Sequence, residues 1–351
     1  MNEKFISTAK KIKNKISSLR FDLYHKYSAI DSLKDVVAIK GKTDPKLIKL
    51  SNEYAIDVLG WKGYAPWLIV YSAFAETFKE GWIPDNYYGK IVIPKIQGDY
   101  GKLSFLKSIT YKIFDTDVFP DIGYFANGLF YKNNFEIIQS IEIVDFLFKK
   151  SNKIVFKLDH SMQGLGVYFF EKDSFDIHKI SSLGNGVFQE FIEQHAIFNE
   201  FMPSSVATIR ITTVIDNQGE PSVRACFLRL GQKNDTHVNS VSDLGIPIDL
   251  KTGEFDAFGY DNYWGPMIKH PDTQVLFANK IIPQFDKCLS TALELQKSMP
   301  LVRCIGWDMI VDKNEKIKVM EWNGYDTDIK FSEATQGPCF KDLGWENLWK
   351  K

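Results

Sequence analysis

The stretch GWDMIVDKNEKIKVMEWN, residues 306–323, constrains the fold more than any other part of the chain. Apolar and polar residues alternate in both arms, the period of strands, and the polar stretch between them has turn chemistry, so the segment predicts a β-hairpin. An even-numbered turn centred between Asn314 and Glu315 opposes Val311 to Lys318, Met309 to Met320 and Trp307 to Trp322 on a largely apolar face. The other face pairs Ile310 with Val319, Asp308 with Glu321 and Gly306 with Asn323. Directly opposed side chains in an antiparallel pair are roughly 5 Å apart, and like charges there repel. Two compensations follow. Water on an edge hairpin solvates both carboxylates, or a divalent cation binds between them with the Asn323 amide oxygen as a further hard ligand. Magnesium fits best beside a phosphate, which directs attention to phosphate-handling residues elsewhere.

Composition sets the outer limits. A chain of 351 residues, 44% hydrophobic and 25% charged, is an ordinary globular sequence with length for two or three domains. A net charge of -1 disfavours a general nucleic-acid binder, although residues 1–26 carry seven Lys/Arg against Glu3 and Asp22. The cysteines at 226, 288, 304 and 339 are scattered, without the short spacings of a zinc site or a disulfide framework, so a reducing cytoplasm is expected. No apolar run suggests a signal peptide or a membrane span.

Residues 1–26 read as a helix, with Phe5, Ile6, Ala9, Ile12, Ile16, Leu19 and Leu23 on one face and lysines on the other. Such a helix is expected to pack on the body with its basic face in water; a membrane-surface helix is the alternative. Residues 1–95 are expected to form a helical N-terminal region, including a helix over Pro45–Leu59. From about residue 96 the texture changes. KIVFK (153–157), GVYFFE (166–171), GVFQEFI (186–192), TIRITTVID (208–216) and VRACFLRLG (223–231) read as strands, and residues 270–300 supply a helix before the hairpin. The fold class is α+β with antiparallel sheets, not alternating βαβ.

A lysine, Lys157, ends one strand and is followed by a small polar loop with Gly164 and Gly166 before the next strand. Glycines let backbone amides turn toward an anion. The spacing of a P-loop or a dinucleotide fingerprint is not met, and a strand rather than a helix follows, so the segment is a strand-flap-strand. By itself it is equally an ordinary hairpin turn. VFQEFIEQH, some twenty residues on, offers edge donors, acceptors and apolar groups suited to an adenine, or is a plain strand end. Arg210 and Arg229 lie in apolar strands, as bidentate phosphate or carboxylate ligands or as structural ion-pair partners.

In this order, FKLDHSMQGLGVYFF, FQEFIEQH, SSVATIRITT, HPDT followed by IIP, and GWDMIV with VMEWN resemble the ATP-grasp superfamily, most closely its branch associated with sugar transfer and polysaccharide biosynthesis. The resemblance covers about residues 96–345. It implies two α+β lobes clamping a nucleotide, the first over 96–190 with the glycine flap and the second over 191–351 with the hairpin. ATP and Mg²⁺ are the implied cofactors. Lys157 would approach the α-phosphate and adenine, and the flap with Gln163, Gly164 and Gly166 would cover the phosphates. Gln189, Glu190, Phe191 and Ile192 would form the adenine hinge, with Glu190 at the exocyclic amine. Glu193 and His195 compete for the ribose, and Lys107 competes with Lys112 as the lysine from the first lobe. Asp308, Glu321 and Asn323 would hold the metal, and Arg229 with Arg210 would stabilise charge on the transferred phosphoryl group. His270 matches the branch or simply bonds backbone. The implied activity is ligation of a carboxylate to an amine through an acyl-phosphate, joining an amino acid to a uronic or similar sugar acid of a surface glycan. A hydroxyl acceptor would make the chain a sugar or lipid kinase. A nucleotide-binding scaffold of a glycan-assembly complex, tethered by the basic arm, is the remaining expectation.

Overall fold

Apolar residues recurring along 121–190 and 208–323 sort the strands into two antiparallel sheets. The structure, a computed structural model, describes residues 3–161, 164–203, 205–232 and 243–350, with side chains from residue 12 onward. The first sheet comprises β1 (Asp121–Ala126), β2 (Leu129–Lys132), β3 (Lys153–Leu158), β4 (Val167–Glu171) and β5 (Gly186–Glu190), in the order β2-β1-β5-β3-β4. The second comprises β6 (Thr208–Ile215), β7 (Pro221–Leu230), β8 (Leu244–Pro247), β9 (Gly259–Tyr260), β10 (Pro266–Met267), β11 (Cys304–Val311) and β12 (Ile317–Asn323), ordered β10-β9-β8-β7-β6-β11-β12. Every pairing is antiparallel, as the α+β reading requires.

Central position explains the burial of β6 and β11, whose residues are buried along their whole length. One face of the second sheet sends Ile209, Ile211, Leu228, Trp307 and Met309 into a core shared with the helix Phe285–Ser298. That helix begins later than expected. Residues 270–284 form a loop with isolated bridges instead, and Pro283 limits extension of the helix toward the N-terminus. The first sheet has its own core, built on Phe125, Phe156, Phe170 and Phe188.

Contacts divide the chain into two compact units. Both sheets lie in the unit formed by Gln97–Asn262 and Pro266–Thr327. The other gathers Met1–Ile96, Tyr263–Gly265 and Asp328–Lys351, so the last segment folds with the N-terminal helices. These include α1 (Glu3–Lys40), α2 (Pro45–Asp57) and α3 (Ala65–Ala75). Two glutamate oxygens join this unit across the sequence. Glu333, fully buried, accepts hydrogen bonds from the Ile83 and Cys339 amides, each at 2.7 Å, and the Trp82 indole donates to the Glu333 carbonyl.

Helix α1 departs from expectation in two ways. It continues to Lys40, and its apolar face is not packed down: Ile12, Ile16, Leu19, Leu23 and Tyr27 are all exposed. Its inner contacts are made instead by His25, Ala29 and Val36. Phe5, Ile6 and Ala9 of the expected face lie outside the described side chains.

Candidate active site

The opening hairpin forms as β11 and β12, with one correction to its register. Gly306 opposes Asn323, Trp307 opposes Trp322 and Asp308 opposes Glu321, as expected. Nearer the turn, Met309 pairs with Val319, Ile310 with Lys318 and Val311 with Ile317, one residue from the expected partners. The turn is the three-residue loop 313–315, closed by the Asp312 amide on the Lys316 carbonyl, with Glu315 in the left-handed region. Asp312 stabilises it by accepting from the Asn314 and Lys316 amides. A β-bulge at Met320 absorbs the extra residue and restores the carboxylate pair to one face.

Asp308 does not rely on solvent. Directly opposite it on β6, Arg210 donates from Nε to Oδ1 at 2.5 Å and from Nη2 to Oδ2 at 3.1 Å, while Nη1 donates to the Thr327 carbonyl. The Asn323 amide adds a donor to Oδ2 at 3.3 Å. Burial alone pushes the Asp308 carboxyl up, but the charge and hydrogen bonds of Arg210, with the charges of Arg229 and Lys157, hold it below the ordinary range. Gly306 leaves room, and the room is taken by Arg210: a Cβ on Gly306 would lie 3.3 Å from Arg210 Cδ. Arg229, on β7 opposite Thr208, pairs with Asp243 at 2.5 Å. Arg229, Arg210, Asp308 and Glu321 thus form a charged row across the consecutive strands β7, β6, β11 and β12, on the face away from the Trp307 core. Both arginines are ion-paired to carboxylates, the second of the two sequence readings.

The first sheet supplies the facing side. Lys157 on β3 donates to the Met320 carbonyl at 3.1 Å, and Gln189 on β5 reaches the same oxygen at 3.3 Å. Met320 is the residue that the bulge leaves without a partner in the hairpin. Burial lowers the Lys157 pKa, and the neighbouring charge of Glu321 counteracts it. Lys107 is 7% exposed and bridges the Ser161 carbonyl at 2.8 Å and Glu321 Oε1 at 3.2 Å. Lys112 is exposed to solvent, so of the two only Lys107 joins this cluster. Around these groups lies a small cleft, lined by Lys107, Asp121, Gln189, Met320 and Glu321.

The flap is held at its base. Asp159 accepts from the Ser108 amide and hydroxyl, and the His160 amide donates to the Phe105 carbonyl. Gly164 and Gly166 have positive φ; a Cβ at Gly166 would lie 2.8 Å from Ser161 Cβ. Gln163 lies outside the described residues.

Not every expected residue joins this cluster. Side chains alternate along β5, so Gln189 faces the second sheet while Glu190 points the other way, to Lys150 at 2.5 Å; the expected contact of the Glu190 side chain with a base in the cleft is not supported. Phe191 receives the Lys153 ammonium 4.6 Å from its ring centre, and Ile192 packs on the core of the second sheet. Glu193 pairs at the surface with Lys313. His195 caps the short helix Ala196–Asn199 by accepting from the Ile197 amide. His270, buried, bonds the Gly231 carbonyl at 3.0 Å, a loop anchor.

Asp121 is the site residue that sequence reasoning missed. It begins β1, accepts from Gln189 Nε2 at 2.8 Å, and is pushed up to about 6 by burial, against the Gln189 hydrogen bond and the Lys157 charge. A lone aspartate at a strand start carries no local signal of this environment.

As for a metal, the described residues contain no cluster of three or more His, Cys, Asp or Glu side chains. Two opposed carboxylates and an amide are nonetheless a hard oxygen donor set suited to magnesium, which commonly takes one or two carboxylates and completes its shell with phosphate oxygens and water.

Comparison with known proteins gives one family. The sequence model for the sugar-transfer associated ATP-grasp matches residues 178–342. No curated protein sequence matches the chain. Among solved structures, similarity is found with the biotin carboxylase domain of 2-oxoglutarate carboxylase from Hydrogenobacter thermophilus, at 11% identity over 70% of this chain and 45% of that one, TM-score 0.43. The ATP-grasp ligase PsnB gives 12% identity over 73% and 62%, TM-score 0.39, and D-alanyl-alanine synthetase A from Vibrio cholerae gives 11% over 72% and 67%, TM-score 0.44. The chain therefore spans about half the length of the first and under two thirds of the second. The matched segment contains β5 and the entire second sheet, with Arg210, Arg229, Asp308, Glu321 and Asn323, so it is over these elements that the chain matches the sugar-transfer associated ATP-grasp family.

Proposed function

We propose that the protein is an ATP- and Mg²⁺-dependent ligase that joins a carboxylate to an amine, the acid being a uronic or similar sugar acid and the amine an amino acid, during surface-glycan synthesis. One observation carries this reading: the charged row Arg229–Arg210–Asp308–Glu321 faces two lysines, buried Lys107 and half-buried Lys157. Phosphoryl transfer needs positioning and charge neutralisation more than a nucleophilic side chain, and this arrangement supplies both signs of charge in a partly desolvated setting.

Asp308, Glu321 and Asn323 would hold Mg²⁺, which when bound neutralises phosphate charge. Arg210 positions Asp308 through the bidentate pair and keeps it ionised. Lys107 and Lys157 bind phosphate oxygens, exchanging Glu321 and the Met320 carbonyl for the ligand. Gln189 and the backbone of 189–192 take the base. The γ-phosphoryl group passes to the substrate carboxylate, leaving ADP and an acyl-phosphate; the amine then attacks the acyl carbon and phosphate departs, leaving the amide.

A screen of amino acids crossed with uronic acids, read as ATP-dependent release of ADP and phosphate, tests the reading. An amide product with free phosphate is expected. A product that retains the phosphate makes the protein a kinase. No turnover with any pair, alongside normal ATP binding, removes the ligase reading.

A further inference from the structure

Helix α1 presents two faces of different kinds. Ile12, Ile16, Leu19, Leu23 and Tyr27 form one stripe, 42–60% exposed. At 3.6 residues per turn, the inner face of His25, Ala29 and Val36 lies about 135° around the helix from that stripe, so the stripe looks away from α3, against which α1 packs. Exposed Lys13 and Arg20 flank it on one side and Lys15 and Lys26 on the other, each roughly 70° from its centre. Tyr24, 66% exposed, stands beside it. The acidic residue of this stretch, Asp22, is tied to Lys90 at 2.8 Å, so the surface around the stripe is basic.

We propose that this face of α1 lies on an anionic lipid bilayer. Apolar residues enter the acyl boundary, the flanking lysines and arginine extend to the headgroups, and the tyrosines occupy the interface. The charge pattern selects this occupant over a second copy of the chain. Ile12, Ile16, Leu19 and Leu23 do have the spacing of a coiled-coil seam, but a parallel pair would set Lys15 of one helix against Arg20 of the other and place Lys26 in the seam. An anionic surface meets the same charges with attraction. No described helix is long and apolar enough to cross a membrane, so the contact is peripheral.

The test is sedimentation of the full chain with phosphatidylcholine vesicles, with and without about one third phosphatidylglycerol, at about 0.1 M and 0.5 M salt. Binding to the anionic vesicles alone, weakened at high salt, is the expected result. Ile16→Glu with Leu19→Glu abolishes it. Lys13→Gln with Arg20→Gln lowers partitioning about 25-fold, about fivefold per charge, from the ~1 kcal/mol that each basic residue contributes near an anionic leaflet. These positions are exposed, and an unchanged circular dichroism spectrum verifies each variant. Equal binding to both vesicles, or no binding of the unmodified protein to either, overturns the proposal. A dimer that Ile16→Glu with Leu19→Glu dissolves overturns it in favour of a second copy. No outcome depends on turnover, so the ligase reading stands or fails separately.

Discussion

At the residue scale, the Arg210–Asp308 pair makes the sharpest prediction. Both groups are under 9% exposed and hydrogen-bonded on two sides. Removing one partner of a buried pair strands the other charge, so Arg210→Ala should destabilise the protein by about 3–5 kcal/mol in urea unfolding, and Arg210→Met with Asp308→Leu should recover most of that loss. Because the folded pKa of Asp308 is depressed, its contribution is present above the unfolded value near 4 and disappears as pH falls through the folded one. Asp121 has the opposite sign. Its folded pKa, about 6, is raised, so its contribution is most favourable below about 4 and is lost as pH climbs through 6. Denaturation at pH 5 and at pH 7.5 should show Asp121 costing about 1–2 kcal/mol more at the higher pH, and Asp121→Asn should flatten that slope. The two aspartates also mark what sequence can disclose. Asp308 announced itself by facing another carboxylate across a period-two pattern, whereas Asp121 acquires its environment from Gln189 and Lys157, on strands that local pattern cannot place beside it.

At the element scale, the hairpin and the flap were legible from alternation and glycine, and the bulge was not. A single extra residue leaves no composition signature, and the turn lies half a residue from its expected centre, which shifts each partner near it by one. The error cancelled at the carboxylates because the bulge at Met320 lies between them and the turn. Deleting Met320 should leave Glu321 opposite Asp308 in a regular ladder but remove the carbonyl that Lys157 and Gln189 bond, and under the proposed function ATP-dependent phosphate release should fall by about 10–100-fold, the usual loss of a supporting contact. Retained activity in that variant would separate the bulge and its carbonyl from the chemistry. In the flap, Gly166→Ala imposes a left-handed conformation on a residue with a Cβ and a close approach to Ser161; thermal unfolding should report a loss of about 1–3 kcal/mol.

At the scale of the whole molecule, sequence reading met its limit in contacts made across hundreds of residues. Glu333 ties to Ile83 and Trp82, and the Tyr87 hydroxyl donates to the Trp345 carbonyl, in both cases about 250 residues apart along the chain. Nothing in either partner's neighbourhood announces the other, so the C-terminal residues read as part of a lobe whose strands precede them. Ending the chain after Thr327 should remove these partners, expose the otherwise buried Trp82 and Tyr87, and melt the helices of that unit, visible as lost ellipticity at 222 nm and raised tryptophan solvent exposure. A truncated chain with unchanged ellipticity and fluorescence would contradict that dependence.

The self-pairing of the candidate site bears on selectivity. Lys107 already holds Glu321, Lys157 already holds the Met320 carbonyl, and Arg210 already holds Asp308. Under the proposed function a nucleotide therefore enters by trading partners, not by filling a vacant charge, and only the net of broken and formed contacts appears as affinity. A triphosphate with its cation offers replacements for every contact given up, whereas a monophosphate breaks the same contacts and returns fewer. Discrimination by phosphate number then needs no dedicated recognition loop, because the resting protein itself is the competitor.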